Sequence, residues 1–155
     1  MKTPLIIVFC LVTFSSPAAN GQATPVTQTS DVWLPGKAWA MEFDGAGFTT
    51  RDNEIQSDGR RYFLAENPQT RLIVSVLLEA SQEPVQPAEC KHSLEEKAKR
   101  NASLASAHLR GVEYRESGEL QILEFVLPQL DGVPKNQKNI FACLIKDDVG
   151  VDIHI

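Results

Sequence analysis

The chain has 155 residues, of which 43% are hydrophobic and 23% charged, and its formal net charge at pH 7 is −5. This length predicts one domain of ordinary size. Acidic and basic residues alternate along the chain and the balance is acidic, which argues against binding to nucleic acid or to an anionic membrane surface.

Residues 1–23 have the layout of a secretory signal peptide. Lys2 gives a positive start, an apolar run follows from Leu5 to Phe14, and small residues lead to Ala23. The run is shorter than the about 20 apolar residues that span a bilayer. A buried N-terminal helix is the alternative, but Pro17 would end it. We therefore predict cleavage near Ala23, export to the periplasm or the extracellular space, and no membrane span in the mature chain.

The mature chain begins with residues 24–30, TPVTQTS, which we interpret as a flexible lead-in to one α+β domain over residues 31–155. The first strand signal is AWAMEF, which alternates with period two. This alternation places three large apolar side chains on one face, those of Trp39, Met41 and Phe43.

Two turns and a long apolar segment follow. Asp58-Gly59 predicts a two-residue hairpin turn, and ENPQT predicts a second turn around Pro68. RLIVSVLLE is apolar on both faces, so we expect a central strand that is covered on at least part of both sides.

One helix is predicted next. Ser93 followed by Glu96 matches a capping box, which indicates a helix start, and Gly111 is suited to end the helix. Small and apolar residues recur along one helical face, which we expect to pack on the sheet: Leu94, Ala98, Ala102, Ala105 and Leu109.

The remaining segments predict strands again. GVEYRE and ELQILEFVLP flank the turn Ser117-Gly118, QLDGVPKNQ is expected to be a loop, and NIFACLIK pairs with VGVDIHI across Asp147-Asp148. Short connections force antiparallel neighbours. The fold class is therefore α+β: an antiparallel meander sheet of about seven to eight strands with one amphipathic helix packed on one face.

This order of elements is similar to the PsbP-like fold, named for an extrinsic subunit of photosystem II. The matching segments are WAMEFDGAGF, RLIVSVLLE, SLEEKAKRNASLASAHL and NIFACLIKDDVGVDIHI. The resemblance implies a binding or assembly module and carries over no functional residue. Members of that fold usually finish with a helix, whereas this chain stops in a strand, so the domain either lacks that helix or is cut short.

Cys90 and His92 lie together in AECKHSLEEKAKR, and His108 follows. On one helix Cys90 and His108 would stand roughly 27 Å apart along the axis, too far to share a metal ion. Cys143 and His154 are the remaining candidates, and no ligand spacing supports a site. We predict no metal and no cofactor.

An exported protein with two cysteines favours a disulfide, here Cys90 to Cys143. It would close a loop of about 53 residues, worth roughly 4 kcal/mol in the chain-entropy model. Two alternatives stay open: Cys143 is an ordinary buried thiol, or Cys90 is a nucleophile whose thiol pKa is lowered near a helix N-terminus.

No serine-hydrolase elbow is present. The aromatic pair Trp33 and Trp39 around a Pro-Gly turn gives the candidate contacts for a ligand or partner. The alternative, which we favour, is that Trp39 belongs to the core and Trp33 packs over the sheet edge. The favoured function is an exported, non-catalytic module that binds or assembles with an unknown protein or small-molecule ligand. The alternative is a small secreted, hydrolase-like enzyme that uses a free Cys90 or His92.

Overall fold

The structure is a computed structural model that describes residues 5–6, 29–81, 89–90, 92–94, 96, 109–130 and 132–155. This part of the chain contains the following strands: β1 Leu5–Ile6, β2 Thr29–Val32, β3 Met41–Asp44, β4 Thr49–Ile55, β5 Arg61–Asn67, β6 Leu72–Ala80, β7 Arg110–Ser117, β8 Leu120–Leu130, β9 Val133–Lys146 and β10 Val149–His154. Residues 89, 90, 92–94 and 96 are helical.

Seven strands form one antiparallel sheet in the order β4-β5-β6-β10-β9-β8-β7. It consists of two meanders, β4–β6 and β7–β10, which join where β10 pairs with β6. The predicted antiparallel sheet is confirmed. Its last strand lies between β6 and β9, so the order is not that of a single meander. A second sheet has the order β1-β3-β2, in which β1 pairs with β3 in parallel.

Turns connect the neighbouring strands close to the predicted positions, but two predictions are wrong in detail. The β4–β5 connection spans residues 56–60 and is not a two-residue turn at Asp58-Gly59. The β7–β8 turn lies one residue later than the predicted Ser117-Gly118. Ser117 and Leu120 pair across Gly118-Glu119, and Lys146 and Val149 pair across Asp147-Asp148. Asp147 and Asp148 both have positive φ, 48° and 64°, as a type I′ turn requires at its two central residues. This turn type matches the twist of the strands and therefore fixes the β9–β10 register.

The larger core lies between the seven-stranded sheet and the small sheet. Alternate residues of β5, β6 and β10 point to it, among them the fully buried Phe63 and Leu78. From the small sheet and the turn between β2 and β3 come Val32, Leu34, Trp39, Met41 and Phe43. The period-two pattern of AWAMEF is thus confirmed. We call this side of the large sheet the β3 face.

The opposite side of the large sheet carries a smaller core, and we call it the cystine face. Cys90 and Leu94 from the helical segment pack there against Leu123, Phe125 and Cys143. Coverage of this face is uneven, because Ile73 of β6 is 56% exposed. RLIVSVLLE is central as predicted, but only its β3-face residues are fully buried.

The predicted helix start at Ser93 is wrong, because residues 89 and 90 are already helical. Cys90 and Leu94 are four residues apart and both buried, and a helix brings such residues to one side. The helical turn therefore includes Cys90. Residues 97–108, with most of the predicted apolar stripe and His108, lie outside the described residues, so a long helix packed on the sheet is not shown.

The predicted loop QLDGVPKNQ is also wrong, because β8 extends to Leu130 and β9 begins at Val133. The strands pair up to Leu130 opposite Val133, with an irregularity between Leu127 and Gln129. Residues 133–138 are exposed on both faces. The sequence of this segment therefore shows no alternation of apolar and polar residues, although its backbone continues the hydrogen-bonded pairing with β8.

Two boundary predictions fall mostly outside the described residues. β2 begins at Thr29, inside the predicted lead-in, while residues 24–28 are not described. Of the predicted signal peptide, only residues 5–6 are described, and cleavage near Ala23 stays a prediction.

Candidate functional site

Cys90 and Cys143 form a disulfide, with their Cα atoms 5.7 Å apart. Cys143 lies in β9 opposite Asp152 of β10 and Gln121 of β8. Both cysteines are buried. A cysteine in a disulfide has no thiolate, so Cys90 cannot act as a nucleophile while the bond is intact.

A cavity of about 510 Å³ lies beside the disulfide. Its walls come from the helical segment and from the ends of β6, β9 and β10, and its polar lining includes the carboxylates of Glu79, Glu89 and Asp152. Among the described residues, no histidine lines this cavity. Within the described ranges, no group of three or more His, Cys, Asp or Glu side chains could hold a metal ion.

The two described histidines lie in different environments. His92 is an exposed helical residue. The ring of His154 stacks on Phe141, with centroids 4.1 Å apart, and its Nε2 lies 3.2 Å from Oδ1 of Asn139. Burial lowers the pKa of His154 because it penalises the charged imidazolium. The structure does not bring either imidazole together with Cys90 as a catalytic pair.

Trp33 and Trp39 lie on opposite sides of the turn that the sequence predicted. Gly36 has a φ of 78°, and the Lys37 N–H donates to the Leu34 carbonyl at 3.2 Å. Trp39 is 5% exposed and belongs to the core, whereas Trp33 is 39% exposed. Of the two tryptophans, Trp33 therefore offers the greater contact area.

The guanidinium of Arg61 lies over the Trp33 ring, 5.3 Å from its centroid. Arg61 begins β5, and its Nε donates to Oδ1 of Asn53 at 2.8 Å. The strand register places Ile55 opposite Arg61, and Ile55 is 44% exposed. We call the surface formed by Trp33, Ile55 and Arg61 the Trp33 surface.

No family model and no curated protein matches this chain. Among solved structures, it is similar to the solution structure of cyanobacterial PsbP (CyanoP) from Synechocystis sp., with a TM-score of 0.55 and 11% sequence identity. The match covers 90% of this chain and 85% of that one.

The chain has a PsbP-like fold. At 11% identity the PsbP likeness concerns the fold alone. It confirms the resemblance predicted from the order of elements. In the described part of the chain, no helix is long and apolar enough to cross a membrane.

Sequence reasoning missed the contact between Trp33 and Arg61 and the stack of His154 on Phe141. Both depend on which strands are neighbours. His154 lies opposite Phe141 only through the β9–β10 register. The turn Asp147-Asp148 was the sequence signal from which this second contact could have been derived.

Proposed function

We propose that this protein is an exported, non-catalytic module that binds another protein through the Trp33 surface. The observation that carries the proposal is an exposed tryptophan held rigidly beside an arginine. Trp and Arg are the residues in which interface binding energy most often concentrates. The PsbP-like fold supports a binding or assembly role.

The rigidity of Trp33 follows from its neighbours in the chain. Val32 and Leu34 are both buried in the core of the β3 face, so the backbone between them is fixed. Arg61 is in turn held by Asn53. A side chain that is already ordered loses less conformational entropy on binding. Binding through Trp33 therefore costs less entropy than binding through a mobile aromatic side chain would.

The shape of the Trp33 surface favours a protein partner over a small molecule. Small-molecule sites are mostly enclosed apolar pockets, and the side chains of Trp33 and Ile55 are instead substantially exposed. Trp39 would contribute from beneath, as part of the core that supports the turn.

Export is part of the same proposal. The leader-like residues 1–23 and the disulfide between Cys90 and Cys143 are both typical of proteins that fold in an oxidising compartment.

The test compares the wild type with Trp33→Ala as matched baits, cross-linked to envelope proteins of the source organism. We expect one protein to be captured by the wild type and to bind Trp33→Ala at least about tenfold more weakly, as for a binding hot spot. Arg61→Lys keeps the charge but loses the planar stacking group, and should weaken binding less than Trp33→Ala.

The control is Ile73→Ala, which removes a more exposed apolar side chain from the cystine face. It should capture the partner as the wild type does. Unfolding curves of all variants check that the fold is kept. Capture of every partner by Trp33→Ala at the wild-type level would contradict the proposal. Two free thiols in the native mature protein would reopen the enzyme alternative.

A further inference from the structure

The β7 strand, Arg110–Ser117, is an edge of the large sheet, and all eight of its residues are exposed. No strand in the described part of the chain pairs with its outer side. An exposed edge presents backbone N–H and C=O groups that can pair with another strand. The outer edge of β7 is therefore available to pair with a strand of another chain.

The hairpin turn decides which backbone groups of β7 point outward. Ser117 and Leu120 flank Gly118-Glu119, and Gly118 has a φ of 61°. Residues that flank a two-residue turn exchange both hydrogen bonds, and the direction alternates along the strand. Ser117, Arg115 and Glu113 therefore bond to β8, and the backbone groups of Tyr114 and Glu116 face outward.

A second copy of β7 fits this edge in one register better than in the others. In an antiparallel pair of two β7 strands, residues whose backbone groups face outward must lie opposite each other. These residues are two positions apart along the strand, so the two-fold axis passes through a residue position and not between two residues. An axis at Glu113, Arg115 or Glu116 places like charges directly opposite, which is destabilising. An axis at Tyr114 places Glu113 opposite Arg115 of the second copy, and this pair occurs twice.

The charged side chains on β7 and on the neighbouring strands β8 and β9 favour the same register. On the β3 face, Glu124 of β8 forms ion pairs with Arg115 and with Lys138, whose Nζ is 2.7 Å away. Glu113 lies directly opposite Glu124 within the hairpin, which is unfavourable for two carboxylates. A second copy would place an arginine on the other side of Glu113 and so continue the alternation of charge.

The other side of β7 carries two exposed apolar side chains beside Glu116. Val112 is 50% exposed and Tyr114 is 43% exposed. In the register centred on Tyr114, the two tyrosines lie side by side and each Val112 lies diagonal to the tyrosine of the other copy. Each Val112 also lies directly opposite Glu116 of the other copy. Pairing would therefore cover the apolar side chains in part on this face and match charges on the other.

We propose that β7 pairs antiparallel with β7 of a second copy of this chain, with Tyr114 at the two-fold axis, so that one sheet runs through a homodimer. One strand pair covers less than the about 1,200–2,000 Å² of a standard stable interface. The dimer is accordingly weak and depends on protein concentration.

Sedimentation equilibrium of the purified protein tests this with a charge exchange. Glu113→Arg and Arg115→Glu each place like charges opposite at two positions, so each should weaken the dimer by about tenfold or more. An equimolar mixture of the two variants restores opposite charges at both positions. The mixture should therefore dimerise as the wild type does.

Glu119→Arg is the matched control, because it makes the same charge change in the exposed turn of the same hairpin. It should leave dimerisation unchanged. Glu113→Arg also removes the repulsion with Glu124, so its fold should be at least as stable as the wild type. A monomer at all concentrations up to about 1 mM, a dimer that Glu113→Arg does not weaken, or a mixture that stays monomeric would each overturn the proposal.

Discussion

Asn67 and Asn139 are the buried polar residues among those described, and each uses its side-chain amide to satisfy nearby groups. The Oδ1 of Asn67 accepts the N–H groups of Gln69 and Thr70 at 3.0 and 3.1 Å, which shapes the β5–β6 turn. The Nδ2 of Asn139 donates to the Gln137 carbonyl at 3.2 Å. The sequence predicted a turn at ENPQT, although it did not predict the hydrogen bonds of Asn67. It gave no sign of the hydrogen bond of Asn139, which lies within a strand.

His154 makes stability depend on pH. Burial holds its folded-state pKa below the usual value of 6.5, so the unfolded chain binds the proton more readily. The free energy of unfolding should thus be constant above about pH 7 and fall as the pH drops from about 6.5 through the folded-state pKa. Urea unfolding at pH 7.5 and 5.5 measures this loss.

The matched pair for this measurement is His154→Gln and His92→Gln. His154→Gln should lose much of the difference between the two pH values, whereas His92→Gln, which replaces an exposed histidine, should keep it. An unchanged pH dependence in His154→Gln would show that other groups cause the effect.

Among the elements, the β9–β10 hairpin has the most specific turn. Asp148 has a φ of 64°, a region that glycine enters without the penalty of other residues. Asp148→Gly should therefore raise the free energy of unfolding by about 0.5 kcal/mol, and Asp148→Val should lower it by about 1–3 kcal/mol. Chemical denaturation gives both values, and a Val variant as stable as the wild type would contradict the turn assignment.

The β8–β9 hairpin shows where prediction of elements ends. Turn residues such as Asp147-Asp148 mark a hairpin because they need unusual backbone angles, and these were found. Residues 133–138 are exposed on both faces, so no pattern of burial distinguishes their strand from a loop. The helix start was missed for the opposite reason: Cys90 is buried by a contact with distant residues, which local capping signals do not report.

At the scale of the whole molecule, the disulfide joins the connection between the two meanders to the centre of the second one. The loss of this link in Cys90→Ala/Cys143→Ala should lower the free energy of unfolding by roughly 4 kcal/mol, because the crosslink restricts the unfolded chain over a separation of 53 residues. Urea unfolding of the variant and the oxidised wild type tests this. Equal midpoints would exclude a stabilising role.

The strand order could not have been predicted from the sequence. Val149, Val151 and Ile153 indicate a strand with one buried face, but the same pattern fits a neighbour on either side. The side-by-side placement of β10 and β6 follows from the fit of both meanders to one core. For the same reason the Trp33 surface could not be predicted, because it needs the residue after β2 to lie beside the start of β5. The sequence indicated only two tryptophans around a turn.

The pairing of β10 with β6 has a consequence for biogenesis. His154 lies opposite Ser75, so the N-terminal half of the sheet keeps an open edge along β6 until the C-terminal strand has been delivered. In the export that we propose, that edge would be exposed while the rest of the polypeptide is still passing through the secretion channel. A chaperone that shields extended strands on the far side of the membrane would be needed most during this interval.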